Sequence, residues 1–538
     1  LKAEGFCTPK EDKAPQKMCV PGRRVIPIIF IPGIMGSNLR LTKGAQDKLK
    51  KSNNVAWNPD KLGEMYKFKD YTSAQRQQQL DQYGTEVDIY EPTRNPTGDV
   101  GESADQRHGA VKLSSPIQGS KSKEVLHDPE TSARRDSTAR HRGWGEVYFG
   151  SYKDLLEACE LCFNDLNTAY WEKVLNVDPR QWDAHPSFSL QAITRAERDN
   201  ALKGCVFPVH ALGYNWLQMN MQSALMIRNR IDQLIARYRG YGYDCRKVVL
   251  VTHSMGGLVV RALVHPSIGG YEEKILGVVH GVMPAAGAPA AYKRIRSGVE
   301  GEGITPNILG KTGPKVSAVL ANSAGGLELL PSAKYGNGWL QIKQGNNIVK
   351  SLPARGDPYE EIYKLRGQWY GLLVEEWLNP ARDPNGGVER TIGLLANAKH
   401  FHELIANTFH PNSYAHYGID PKRPSWETIT WNVTAGSSNV DIGHWRINED
   451  RGNGKIKFTT GEKKYGWPIG ASAELEDATG PGDQTVPVRS SSTQLQSGVF
   501  RGVFEQRGYE HQKSYSDENA LSSTIYCITR IIQSMDWN

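Results

Sequence analysis

Seven cysteines in 538 residues are too few, and odd in number, for a scaffold built on disulfides. No run approaches eighteen apolar residues, so no segment reads as a membrane-spanning helix. The longest apolar stretch, Val25 to Ile31, contains Pro27 and has only the length of a core strand. Neither sign of charge dominates: 65 Lys and Arg against 58 Asp and Glu leave +7, mild for this length. No nucleic-acid motif accompanies that charge, which argues against nucleic acid as a partner. No internal repeat is evident, and the chain opens at Leu1 with no basic-then-apolar leader pattern. Hydrophobic residues make up 38%, on the polar side for an enzyme, which implies an ordinary core carrying long polar insertions.

Metal and redox chemistry are equally short of support. Cys159 and Cys162 form a C-x-x-C, but inside a helix-like run (Tyr152 to Leu166) and with no second pair. His400, His402, His410 and His416 follow i, i+2, i+10, i+16, which fits no common zinc pattern. No metal or cofactor is expected, and calcium dependence is not readable from the sequence. Cys7 and Cys19 flank a loop and could pair outside the cytoplasm. The basic clusters Lys48, Lys50, Lys51 and Arg134, Arg135, Arg140, Arg142 lie in loop-like segments. They read first as solvated surface and second as attraction to membrane phosphates.

What is present is a nucleophile elbow. Val248 to Val251 is a buried strand, an apolar helical run follows Gly256 and Gly257, and Ser254 sits between them in His253-Ser254-Met255-Gly256. Such a turn strains the backbone and lifts the hydroxyl out where strand meets helix. Thr252 replaces the first glycine of G-x-S-x-G, which weakens the match without breaking it.

A serine needs a base to take its proton and a carboxylate to orient the base. On this kind of sheet they follow in the order acid, then histidine. Asp483 stands on the turn Gly482-Asp483-Gln484-Thr485-Val486-Pro487, and His511 follows before a terminal helix from about Glu518 to Ser534. Glu476, Asp477 and Glu510 are alternative carboxylates. His253 reads as a packing residue, since it cannot reach round to act as base. Oxyanion donors are expected from the backbone N–H of Met255 and from Ile34 or Met35 in the loop Pro32-Gly33-Ile34-Met35-Gly36.

The order of elements agrees. Val206 to Trp216 is a short strand and loop, and Met221 to Tyr238 an amphipathic helix stopped by Gly240. The elbow and the strand Lys274 to Val282 follow. Strand and helix alternate as in a parallel sheet with right-handed crossovers. The expected architecture is α/β, an α/β-hydrolase fold with a mostly parallel sheet flanked by helices and large lid or cap insertions. Residues 1–24 form an N-terminal arm, and 25–41, 206–295 and 426–538 the core. Residues 42–205 are an insertion, partly flexible, with helices only at Val147 to Leu166 and Thr168 to Val177. Residues 296–425 are a second, lid-like insertion.

Pro-Gly-Ile-Met-Gly-Ser, the elbow, Gly-Leu-Glu-Leu-Leu-Pro (326–331 for Gly to Pro) and Gly-Asp-Gln-Thr-Val-Pro resemble the lecithin:cholesterol acyltransferase branch of the α/β-hydrolases. The resemblance gives Asp483 the catalytic acid role. The long insertions, Val282-Met283-Pro284 with Gly287-Ala288-Pro289, and Glu510-His511-Gln512 before the last helix resemble bacterial type VI secretion lipase effectors more closely. That resemblance implies an antibacterial phospholipase, made in the cytoplasm, secreted, and acting in the periplasm or at the membrane of a target cell. It implies a phospholipid substrate on a membrane surface, an immunity protein and a secretion spike protein as partners, and export without a Sec leader.

The expected activity is a serine lipase or phospholipase that cleaves acyl esters of glycerophospholipids through an acyl-enzyme. Acyl transfer to an alcohol, or hydrolysis of another carboxylic ester, would use the same triad. A non-catalytic binding module would be favoured if Asp483 or His511 lay far from Ser254.

Overall fold

The computed structural model describes residues 2–5, 16–19, 24–91, 103–114, 135–301, 304–435, 442, 445–464 and 467–537. Six strands form one all-parallel sheet: Ile28–Ile31 (β1), Val209–Ala211 (β2), Val248–His253 (β3), Ile275–Gly281 (β4), Ser413–Gly418 (β5) and Gly502–Gln506 (β6). Their spatial order is β6-β5-β4-β3-β1-β2. Strands β1, β3 and β4 are buried along their whole length. Their continuous apolar runs follow from this, because helices cover both faces of a parallel sheet.

The helices used below are Leu62–Asp70 (α1), Phe149–Asn164 (α2), Asn220–Gly240 (α3), Gly256–Val264 (α4), Pro289–Ser297 (α5), Val388–Ile405 (α6) and Glu518–Gln533 (α7). Alternate strand residues point to opposite faces. Ile29, Leu250 and Val278 meet Ile227 and Ile231 of α3 and Leu258 of α4. Phe30, Val251 and Val279 meet Tyr152 and Leu155 of α2 and Ile525 and Ile528 of α7. Each such fully buried aliphatic side chain contributes about 1.5–3 kcal/mol. The sheet is therefore a stiff platform, and the loops at the C-terminal ends of β3 and β4 inherit its rigidity.

A second six-stranded sheet stands apart from the first. Its order is Asn347–Leu352, Leu340–Gln344, Ile429–Ala435, Trp467–Leu475, Lys455–Lys464, Arg446–Asp450. Trp431, Phe458, Trp369 and Tyr292 of α5 share its core.

Two expected boundaries are corrected. Ser413–Gly418, expected in the second insertion, is a strand of the central sheet. Ile429–Ala435, expected in the core, belongs to the second sheet. The alternation in Ile429–Ala435 marks a strand buried on one face, whereas β5 reads as polar because Ser413 and His416 are buried along with its aromatics. The first insertion is also more structured than expected. It carries α1 and a further helix at Ser73–Gln79, and α2 covers one face of the sheet. Within the expected arm, Lys2–Gly5 pairs with Gln16–Cys19, while Cys7 and Arg134 lie outside the described residues. No described helix is long and apolar enough to cross a membrane.

Candidate active site

β3 ends at His253, and the chain turns sharply into α4 through Ser254 and Met255. Ser254 has a positive φ of 51°, the strained conformation an elbow needs. Its N–H is held by the Gly281 carbonyl at 2.9 Å. Gly256 is required by close approach, since a Cβ there would lie 2.5 Å from the Ile31 carbonyl oxygen. Thr252 stands where the motif usually has glycine. It is buried with its hydroxyl 3.2 Å from His280 Nδ1, and the sheet has room for it on that side.

Three side chains far apart in sequence meet at this turn. His511 Nε2 lies 2.8 Å from Ser254 Oγ, and His511 Nδ1 lies 2.8 Å from Asp483 Oδ2. The carboxylate fixes the tautomer: Nδ1–H donates to Asp483, which leaves the Nε2 lone pair for the serine hydroxyl. Asp483 Oδ1 also accepts from the N–H groups of Val486 (2.7 Å) and Thr485 (3.1 Å), so the aspartate locks its own turn while it holds the imidazole. The His511 N–H donates to the Asp483 carbonyl at 2.9 Å. All three residues are buried, with Ser254 only 4% exposed.

His253, read from the sequence as a packing or helix-neighbour residue, is buried against Tyr152, His511 and Tyr515 and also hydrogen-bonds His511. His253 Nε2 is 2.9 Å from the His511 carbonyl oxygen, so it must carry the proton and donate. His253 Nδ1 is then an acceptor, and the Tyr152 hydroxyl, 3.2 Å away, donates to it. Burial pushes the His253 pKa down to about 3, with the His511 charge as a second cause, so the ring is neutral at ordinary pH. The same Tyr152 hydroxyl accepts from the Gly33 N–H at 3.5 Å, at the start of the Pro32–Gly36 loop. A single buried tyrosine from α2 thus joins that loop to the residue beside the nucleophile. Nothing local in the sequence marks Tyr152, because its partners lie 101 and 119 residues away.

Ile34 and Met35 form the turn closed by Gly36 N–H to the Gly33 carbonyl at 3.1 Å. Met35 has φ 60°, and a Cβ on Gly33 would fall 2.9 Å from Ser254 Cβ, so this loop abuts the nucleophile. Met255 opens α4 directly after Ser254. Val282 (φ 45°) and Gln484 (φ 70°) are strained as well. Four positive-φ side chains thus stand next to or within two residues of the loops that carry the three side chains, and a β-branched residue such as Val282 adopts that conformation only where its surroundings enforce it.

The alternative carboxylates go elsewhere. Glu476 accepts from Asn432 Nδ2 at 3.2 Å and from Lys343. Glu510 accepts from the Gln512 N–H and starts the helical turn that carries His511. With Asp477 they line a polar cleft of about 680 Å³ beside Gln484 and Thr485. Arg294 of α5 reaches that turn and donates to Thr485 Oγ1 at 3.1 Å. His402 bonds Tyr359 and the Glu328 carbonyl, and His416 bonds Tyr509, so these histidines face different neighbours. Among the described residues no group of three or more His, Cys, Asp or Glu could hold a metal ion. Cys159 and Cys162 are buried free thiols whose pKa values burial pushes up.

No protein-family model matches the chain, and no curated protein matches it in sequence. Among solved structures, the crystal structure of the Tle4–Tli4 complex matches with a TM-score of 0.74 and 30% identity, over 95% of this chain and 99% of that one. The chain belongs to the type VI lipase effectors. The effector's parallel sheet, flanked by helices on both faces, is the α/β-hydrolase core of this family. Family membership makes the effector a hydrolase of the lipase type.

Proposed function

We propose that this effector is a serine lipase or phospholipase that hydrolyses acyl esters of membrane glycerophospholipids. The observation that carries the reading is the pair of 2.8 Å contacts linking Ser254, His511 and Asp483 within a lipase-effector fold. Ser254 Oγ attacks the acyl carbonyl as its proton passes to His511 Nε2. Asp483 stabilises the imidazolium through Nδ1–H and keeps its own charge. The N–H of Met255, with that of Ile34 or Met35, receives the oxyanion. His511 then protonates the leaving alkoxide, and water, deprotonated by the same ring, releases the fatty acid from the acyl-enzyme. Ser254 is only 4% exposed, which supports a lid over the site. We assign that lid and the acyl groove to parts of the two insertions.

The solved relative is a complex of Tle4 with Tli4. By analogy this effector is bound by an immunity protein in the producing cell and carried out by a secretion spike protein, and it acts in the periplasm or at the membrane of the target cell. Acyl transfer on the same triad is a second reading, favoured by the buried serine, since a closed site excludes water. The test is acyl release from mixed phospholipid vesicles by wild type and Ser254→Ala, analysed by lipid mass spectrometry. Release lost in the variant supports the proposal, and the lysolipids name the bond. Acylated acceptor alcohols in place of free fatty acid would move the assignment to transfer. No release by wild type even with detergent would refute phospholipid as substrate.

A further inference from the structure

Helix α1 turns an apolar pair outward. Leu62 is 63% exposed and Tyr66 47%, and at i, i+4 they share one face. Met65 and Phe68 occupy the opposite face and are buried. Leu62 and Tyr66 thus form a small apolar ridge on the surface.

The charges around the pair say which kind. Lys67 and Lys69 are exposed on the same helix, flanking Leu62 and Tyr66. Lys315 approaches from the second insertion, its ammonium 3.5 Å from the Lys69 carbonyl oxygen. Lys51, on the other side, turns its ammonium inward onto Gln79 Oε1 (2.7 Å) and the Val55 carbonyl, so it stands outside this ring. Asp70 shares the exposed face, and Glu64 pairs with Lys67 at 2.9 Å. Lys67, Lys69 and Lys315 thus face two carboxylates around an apolar ridge. An apolar ridge ringed by excess lysine matches a bilayer surface bearing anionic headgroups, where the side chains enter the acyl boundary and the ammonium groups meet phosphate.

The helix is also wired to the site. Phe68 packs edge-on against Trp57, with ring centres 5.7 Å apart, and Trp57 Nε1–H donates to the Met35 carbonyl at 2.9 Å. One aromatic layer therefore separates the exposed ridge from the turn beside Ser254.

We propose that the outer face of α1, with Leu62, Tyr66, Lys67 and Lys69, is the surface by which this protein docks on an anionic lipid bilayer, seated against the loop that borders the serine. The proposal deepens the lipid-ester reading by naming the membrane the site addresses. Ridge insertion holds the entrance at the headgroup layer, and the lysines select anionic over zwitterionic surfaces.

The test uses the full chain carrying Ser254→Ala, so that no turnover disturbs binding, with vesicle sedimentation as readout. The probes are phosphatidylethanolamine vesicles containing phosphatidylglycerol and vesicles of phosphatidylcholine alone. Leu62→Asp with Tyr66→Asp is expected to weaken partitioning onto the anionic vesicles at least tenfold. Lys67→Gln with Lys69→Gln is expected to weaken it about fivefold per lysine, with little change on phosphatidylcholine. In the wild-type background all four substitutions leave hydrolysis of a soluble short-chain ester unchanged, and circular dichroism confirms the fold. The proposal is overturned if the Ser254→Ala protein does not sediment with anionic vesicles, if the aspartate pair binds like its parent, or if the lysine pair loses equally on both membranes. Failure of wild type on every ester would refute the hydrolase reading alone, because binding is measured without turnover.

Discussion

Removing one oxygen from Tyr152 tests how the base is held. Tyr152→Phe keeps the ring, which packs on Phe30 with centres 4.6 Å apart, and deletes only the hydroxyl that donates to His253 Nδ1 at 3.2 Å. That nitrogen is then buried without its donor, at a cost of about 1–3 kcal/mol in stability. The kinetic effect is smaller and can be bounded. The hydroxyl biases His253 toward the Nε2–H tautomer that donates to the His511 carbonyl. One hydrogen bond supplies about 1 kcal/mol of bias, so losing it should lower kcat by roughly 3- to 10-fold. KM should stay constant, because no substrate atom is involved. Steady-state kinetics on a short-chain ester give the split, and a denaturant titration gives the stability change. A loss of kcat as large as that of Asp483→Asn would refute the reasoning, since it would make Tyr152 part of the proton relay. Unchanged kcat with unchanged stability would refute it from the other side.

Asp483→Asn should lower kcat about 10⁴-fold with little change in KM, because asparagine holds His511 in the wrong tautomer; the kcat/KM ratio checks this. Gly33→Ala puts a Cβ 2.8 Å from His253 Nδ1 and 2.9 Å from Ser254 Cβ, and the displaced loop is expected to cost about 10²-fold in turnover, measured on the same ester. Glu328 gives a pH signature. Burial raises its pKa to about 8, so the folded protein holds a proton that the unfolded chain releases above its ordinary value of 4.5. Stability is then fully present below that value and falls as pH rises toward 8. Glu328→Gln should flatten this fall, read as denaturation midpoints at pH 5 and pH 9.

The elbow was legible because it depends on a local pattern: four apolar residues, a serine, then glycines. Asp483 and His511 were legible as turn residues in the right chain order, although no spacing rule could say that the hydroxyl, the ring and the carboxylate meet. The misplacement of Ser413–Gly418 has a physical cause, since its histidine, serine and tyrosines are buried through hydrogen bonds such as His416 to Tyr509 and carry no apolar signature. The hydrogen bond from His253 to His511 was not legible for a similar reason. A histidine beside a serine in a strand end looks like packing until the fold brings the His511 carbonyl to its Nε2. Tyr152 was invisible, because its role depends on α2 lying across the sheet beneath both loops.

Strand β6 is one of the two outer strands of the central sheet and is also the last described strand in the chain. His511 follows five residues after it and is carried between β6 and α7, which packs back on β4. A ribosome making this protein therefore releases the nucleophile long before the base. On the proposed mechanism, the base is in place only with the final edge strand on β5 and the terminal helix beside it. A chain ended at Gly498 retains Ser254 and Asp483 and should show no esterase activity. The order of synthesis thus places the last of the three side chains at the end of the chain.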